Sequence, residues 1–430
     1  MNRRLIAAIG TAALMFSVAA CSSSSKTTAS SSSSSTAKAA GGKTLTVWLM
    51  TGDNPKDWVA NVTAQFKAAN PGDKINIDIQ QWTNITTKIT TALSQNNPPD
   101  VIDIGNTQTP FYAASGGLMD ITALKSQLGG DGWTASMNGS AVYNGKQYAA
   151  PWYAGGRAVM YNKTLWAKAG LTSTPTTMAA YEADLAKLKS TAGVSSALYL
   201  PGQYWYFFDG LLQQAGASIA TESGSTWSGT LNTPAALSAA QTFKTLQAFG
   251  TAPKDQTEAT QDTFFEKGNV ATMIAMGYEE GTITTANPKL ANDIGWFPIP
   301  SNTAGTPGKT FLGGSNLAIS ANSQNKTLAE SFLTIALNQA NESDFAKDSG
   351  FLPNTSADYS ALAGNAYAQA YEQAAPEAGY TPLVPTWANV ENAPNPITTL
   401  FLTPVLEGKS PASSAAAADT QIASRLNQQQ

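Results

Sequence analysis

The chain has 430 residues, of which 42% are hydrophobic and only 13% charged, and its formal net charge is −4. It has no histidine and one cysteine, which excludes His- or Cys-based zinc sites, removes the commonest general base, and leaves no intrachain disulfide. With no basic cluster, nucleic acid is not expected as a partner.

Arg3 and Arg4 precede an apolar run from Leu5 to Ala20, followed by Cys21. A charged start, a short apolar stretch and small residues at its end read as a secretory signal peptide over 1–20. The run is too short for a stable transmembrane span. With Cys21 directly after Val18-Ala19-Ala20, the string resembles a bacterial lipobox, which implies cleavage before Cys21 and acylation of its thiol. An incidental cysteine behind an ordinary signal is the competing reading. Residues 22–42 hold Ser, Thr, Ala, Gly and two lysines. Such a segment cannot offset its ordering entropy and reads as a tether, with an rms reach of roughly 25 Å. The expected location is the outer face of the cell membrane, reached through the lipid alone.

The remaining ~390 residues exceed one hydrophobic core, so two domains are expected. Thr44–Leu49 reads as a strand. Trp58, Val62 and Phe66 mark a helix stopped at Asn70-Pro71-Gly72. Ile75, Ile77 and Ile79 alternate with polar residues as a second strand. Ile85, Ile89 and Leu93 mark a second helix, and Asp100–Ile104 a buried strand. This alternation predicts an open α/β sheet flanked by helices. Asn144-Gly145 is a type I′ hairpin signal. Ala158–Tyr161 is a strand, followed by a helix ended at Gly170. Tyr181, Leu185 and Leu188 line another helix, and Thr233-Pro234 opens one that ends before Gly250. Phe311–Ser320 returns to strand character, and Leu328, Phe332 and Ile335 mark a helix face. No repeat with a period of roughly 20–50 residues is visible.

The aromatics are more informative than the charges: 10 Trp and 14 Tyr. Trp152 follows Pro151 and precedes Gly155-Gly156. Trp205 and Tyr206 follow Pro201-Gly202, Tyr278 follows Gly277, and Trp387 lies between Pro382 and Pro396. Loops at strand ends are where open α/β sheets bind ligands, and flat aromatic faces suit sugar rings. Trp58 and Phe66, at helical spacing, read as core. Trp48 and Trp82 flank strand ends and are assigned to neither role. Gly313-Gly314 either brings backbone close to a ligand or turns the chain.

Several strings then resemble extracellular solute-binding proteins of sugar ABC transporters. They are PDVIDIGNTQTPFYAASGGLMDIT (99–122), NGKQYAAPWYAGGRAVMYNKTLWAKAGL (144–171), FFEKGNVATMIAMG (264–277), GWFPIP (295–300), FLGGSNLAIS (311–320) and SGFLPN (349–354). They occur in family order over 44–430. PPDV, IGNTQTP and ENAPNPI are most similar to chitobiose- and N-acetylglucosamine-oligomer-binding lipoproteins of actinobacteria. The resemblance implies a two-lobe α/β fold of the periplasmic-binding-protein kind (class II), with mixed sheets and a ligand cleft between the lobes. Lobe 1 would hold 43–152 plus 305–352, and lobe 2 would hold 153–304 plus 353–430. It also places Asn106, Trp152, Arg157, Trp205, Gly313 and Gly314 at the cleft. Asp53, Tyr206, Tyr278, Glu279 and Trp387 join them from loop position and residue type.

The implied function is capture of a di- or oligosaccharide, chitobiose-like, by lobe closure and delivery to an ABC-transporter permease. The protein is expected to be a monomer with no catalytic residue, metal or cofactor. Two rivals remain: a carbohydrate adhesin or sensor accessory lipoprotein, and a glycoside-active enzyme. The enzyme needs two carboxylates roughly 5–9.5 Å apart, and no arrangement of Asp209, Glu279 and Glu280 in the sequence singles out a pair.

Overall fold

Thr44–Met50 (β1) and Lys74–Gln80 (β2) pair in parallel from Thr44–Lys74 to Met50–Gln80, and β1 pairs in parallel with Val101–Gly105 (β3). The computed structural model describes residues 42–372, 374 and 379–428. The signal peptide, Cys21 and nearly all of the tether lie outside the described residues.

The later strands are β4 (Val142–Tyr143), β5 (Lys146–Gln147), β6 (Ala150–Gly155), β7 (Ala158–Asn162), β8 (Ser196–Tyr199), β9 (Ala220–Ser223), β10 (Thr226–Gly229), β11 (Val270–Ala275), β12 (Ile294–Phe297), β13 (Gly313–Ile319) and β14 (Leu352–Pro353). Six form the larger sheet in the order β14-β6-β13-β3-β1-β2, and four form the smaller in the order β12-β7-β11-β8. β4–β5 and β9–β10 are separate hairpins. Asn144 and Gly145 have φ of 47° and 74°, the positive angles a type I′ turn requires.

Alternation across β1 and β3 builds the two layers over the larger sheet. Leu45, Val47 and Leu49 pack with Trp58, Val62 and Phe66 of the helix Lys56–Ala69. Ile102 and Ile104 pack with Ile85, Ile89 and Leu93 of the helix Ile85–Leu93. Each such side chain contributes roughly 1.5–3 kcal/mol when fully buried. β2 departs from the expected one-sided pattern: Ile75 and Ile77 are half-buried and Ile79 is 41% exposed. The reason is its place at the edge of the sheet.

The chain passes between the sheets three times. Gly156 and Arg157 join β6 of the larger sheet directly to β7 of the smaller. Residues 298–312 lead from β12 back to β13. After β14, Leu362, Tyr367 and Tyr371 pack in the core of the larger sheet, whereas Trp387, Phe401 and Ile422 pack in that of the smaller. Asp419 fastens the last helix, Pro411–Leu426, by accepting from Leu231 N at 2.7 Å and Asn232 N at 2.9 Å.

Among the described residues, no helix is long and apolar enough to cross a membrane, and no group of three or more His, Cys, Asp or Glu could hold a metal ion.

Candidate functional site

The carboxyl ends of β1, β2 and β3 feed three loops: Thr51-Gly52-Asp53, Gln81-Trp82 and Asn106-Thr107-Gln108. Tyr204, Trp205 and Tyr206, at the start of the helix Trp205–Gln214, come from the smaller-sheet side. So do Tyr278 after β11 and the short helix Trp387–Glu391. Two of the contacts between the sides join the loops across the cleft. A Cβ on Gly52 would lie 3.0 Å from Tyr278 Cγ, so the glycine lets the ring approach. Farther along, Thr107 Oγ1 donates to Glu391 Oε2 at 2.8 Å and lies 3.0 Å from Oε1.

Glu391 also accepts from the Tyr206 hydroxyl at 2.8 Å. Burial raises the Glu391 carboxyl above its ordinary range, and the bonds from Tyr206 and Thr107 pull it back. Burial, and then the Glu391 charge, push the Tyr206 phenol well up, so it stays a donor. Around this pair gathers an aromatic group. Trp205 lies 3.9 Å from Tyr206, 5.9 Å from Trp387 and 6.1 Å from Phe311 between ring centroids. Tyr206 and Phe311 are 5.1 Å apart.

Arg157 completes the group from the crossing between β6 and β7. Its guanidinium sits 4.5 Å from the Tyr206 ring centre, 5.4 Å from Phe311 and 5.9 Å from Tyr204. Its Nε donates to the Tyr204 hydroxyl at 3.4 Å, and its buried Nη1 has no hydrogen-bond partner. Cation–π contacts of this kind are worth about 0.5–2 kcal/mol. The nearby Arg157 charge partly offsets the burial that raises the Glu258 carboxyl.

The structure thus brings Arg157, Trp205, Tyr206 and Trp387 together and sets Tyr278 against the opposite loop. It places the other candidates differently. Trp152 is fully buried in the larger sheet's core, with ring centroids 4.5 Å from Phe345 and 5.1 Å from Trp58. Its expected place in a loop is corrected: Pro151 and Trp152 lie inside β6, at a bulge in which Trp152 is the extra residue opposite Ser315-Asn316 of β13, the kind of place where a strand tolerates proline. Glu279 is a helix cap. It accepts from Met276 N at 2.8 Å and from Gln261 Nε2 at 2.9 Å, and burial pushes its carboxyl up to about 8.

Asp53 turns inward, 2% exposed, beside Asp103, Tyr153 and Ser315. Burial and the Asp103 charge raise its carboxyl well up, and Asp103 itself is pushed by burial to about 6. Asn106 is tied to chain: its Nδ2 donates to Leu312 O and its N to Gly314 O, both at 3.0 Å. The glycine pair serves close packing. A Cβ on Gly314 would lie 2.2 Å from Tyr153 O, and one on Gly313 2.9 Å from Arg157 Nη1.

Sequence reasoning missed Thr107, Glu258 and Glu391. Glu391 had a signal, since it stands four residues after Trp387 and so shares its helix face. Two cavities lie elsewhere, one beside Tyr161 and Trp166 and one beside Met137 and Tyr359.

Two α/β lobes joined by three crossings, with a cleft closed by a carboxylate and a cluster of rings, define a two-lobe binding protein. The chain belongs to the bacterial extracellular solute-binding protein family, which it matches over residues 51–343. It is 45% identical, over the full length of both chains, to the diacetylchitobiose binding protein DasA of Streptomyces coelicolor. Among solved structures it resembles the GacH receptor of Streptomyces glaucescens, with a TM-score of 0.78, 22% identity, and 90% and 98% of the two chains covered. It also resembles the sugar-binding protein MalE of Xanthomonas citri, with a TM-score of 0.72, 20% identity, and 89% and 97% covered. At such identities the structural likeness shows the fold alone.

Proposed function

We propose that this protein captures a neutral N-acetylglucosamine-type disaccharide, diacetylchitobiose being the favoured member, by closing its lobes on it. It then presents the closed form to the permease of an ABC transporter. The observation that carries this reading is the Glu391 carboxylate, which accepts from Thr107 on one side of the cleft and Tyr206 on the other. A ligand hydroxyl or amide N–H is a donor of the same kind, and the rings of Trp205, Tyr206 and Trp387 offer apolar faces beside it. The relative's name supports the choice of sugar. A ligand shifts the open–closed balance only by its differential affinity for the two forms. An acceptor and rings on the smaller-sheet lobe, facing Thr107 on the other, supply that difference. A lipid on Cys21 would hold the body near its permease, and the body is proposed to act as a monomer.

Isothermal titration with diacetylchitobiose, cellobiose and maltose tests the reading. Stoichiometric binding of the first with Kd near 1 μM, about −8.2 kcal/mol, is the expected result. Absence of heat with every sugar overturns it in favour of an adhesin or accessory role. Recovery of cleaved sugar after incubation overturns it in favour of an enzyme. Mass spectrometry of the membrane-extracted protein tests the anchor: a mature chain beginning at an acylated Cys21 is expected, and a free thiol there counts against it.

A further inference from the structure

Of the ten tryptophans, Trp82 is the most exposed, at 36%. It follows the edge strand β2, yet its ring does not hang off the edge. Nε1 donates to Thr51 O at 3.0 Å, in the loop after β1. On the ring's other side, Cζ3 lies 3.7 Å from the point where a Gly105 Cβ would stand, at the end of β3. The ring therefore reaches across the carboxyl ends of all three parallel strands, the side on which open α/β sheets bind ligands.

Gln108 borders the same point, with its Cδ 3.7 Å and its Oε1 3.9 Å from it. Gln108 is 8% exposed and its Oε1 has no hydrogen-bond partner. A buried acceptor left unpaired is unfavourable, and a donor arriving there relieves that cost. The neighbouring residue is Thr107, whose hydroxyl bonds Glu391 in the cleft. A fixed, exposed aromatic face beside an unpaired acceptor, continuous with the cleft, matches what a pyranose offers: C–H groups on its face and hydroxyls at its rim.

We propose that Trp82 and Gln108 form an outer subsite for a second sugar ring, so that the protein selects chains of two or more sugars over a monosaccharide. This rests on the sugar-capture reading. The test titrates wild type, Trp82→Ala, Trp82→Phe and Gln108→Ala with N-acetylglucosamine, diacetylchitobiose and triacetylchitotriose. Trp82→Ala is expected to weaken the two longer sugars at least tenfold and to leave the monosaccharide unchanged, with Trp82→Phe recovering most of the loss. Gln108→Ala is expected to weaken the same two sugars selectively, which keeps the test in force if Trp82→Ala does not fold.

Iodide quenching supplies a second readout. The sugar-free wild type should show an accessible tryptophan fraction that Trp82→Phe lacks and that saturating diacetylchitobiose protects. Equal loss for all three sugars, no loss, or persistent quenching in the complex overturns the subsite. Failure of the wild type to bind any of them removes the sugar-capture reading and the subsite together. Normal wild-type binding with unaltered variants removes the subsite alone.

Discussion

The Tyr206 hydroxyl and the Glu391 carboxylate, 185 residues apart in the chain, are joined by a 2.8 Å hydrogen bond, and the same carboxylate accepts from Thr107 across the cleft. One side chain thus links both lobes. Glu391→Ala leaves two hydroxyls without their acceptor. Small-angle scattering of the sugar-free variant should give a larger radius of gyration than wild type, and sugar Kd should rise at least tenfold. Glu391→Gln, which keeps one acceptor oxygen, should fall between. Identical scattering and identical Kd would show that the bond does not set the closed form.

Trp152 separates a core role from a cleft role. Its ring is packed on Phe345, Trp58 and Tyr153, so Trp152→Ala should cost about 3–5 kcal/mol, the usual range for a buried large aromatic cut to alanine. Thermal unfolding should move down by on the order of 10 °C. Sugar Kd, measured where the variant is folded, should stay within twofold. A tenfold change in Kd at unaltered Tm would return Trp152 to the cleft.

Trp205→Ala should behave differently because Trp205 lies against Tyr206, the donor to Glu391. It is 6% exposed, so stability falls. The loss also unseats Tyr206, and sugar affinity is expected to fall at least tenfold. A variant of lower Tm with wild-type Kd would confine Trp205 to packing.

The contrast between Trp152 and Trp205 shows what the sequence carried. Both stand near proline and glycine, and both read as loop aromatics. For Trp205 the local signal matches the structure, because Pro201-Gly202 does precede a helix start. For Trp152 it does not, because it lies in a strand, as the extra residue of a bulge opposite Ser315-Asn316 of β13, more than 150 residues later. Alternation and helical spacing made β1, β3 and their helices legible, since those patterns are local. The Glu391 bridge was not legible, since it depends on which distant segments the crossings bring together. The role of Trp82 is not legible for the same reason: only the sheet order reveals that its ring reaches the ends of β1 and β3.

Buried carboxyls give the molecule a pH dependence with a definite sign. Burial pushes Asp103 to about 6, Asp209 to about 7 and Glu279 to about 8, all above the values of an unfolded chain. Between roughly pH 4 and 8 the folded protein therefore holds more protons than the unfolded one, and stability falls as pH rises. The contribution of each group is complete below its unfolded pKa and is lost as pH rises through its folded pKa. Asp120, exposed and drawn down to about 2 by the hydroxyl and N–H of Thr122, with Lys146 adding to the effect, titrates below this window. Tm should decline from pH 5 to pH 8.5. Asp209→Asn should flatten the middle of that decline, and Glu279→Gln its upper end, since an amide oxygen can still accept from Met276 N. A Tm that is level or rises over the same range would mean that these carboxyls are already ionised in the folded protein.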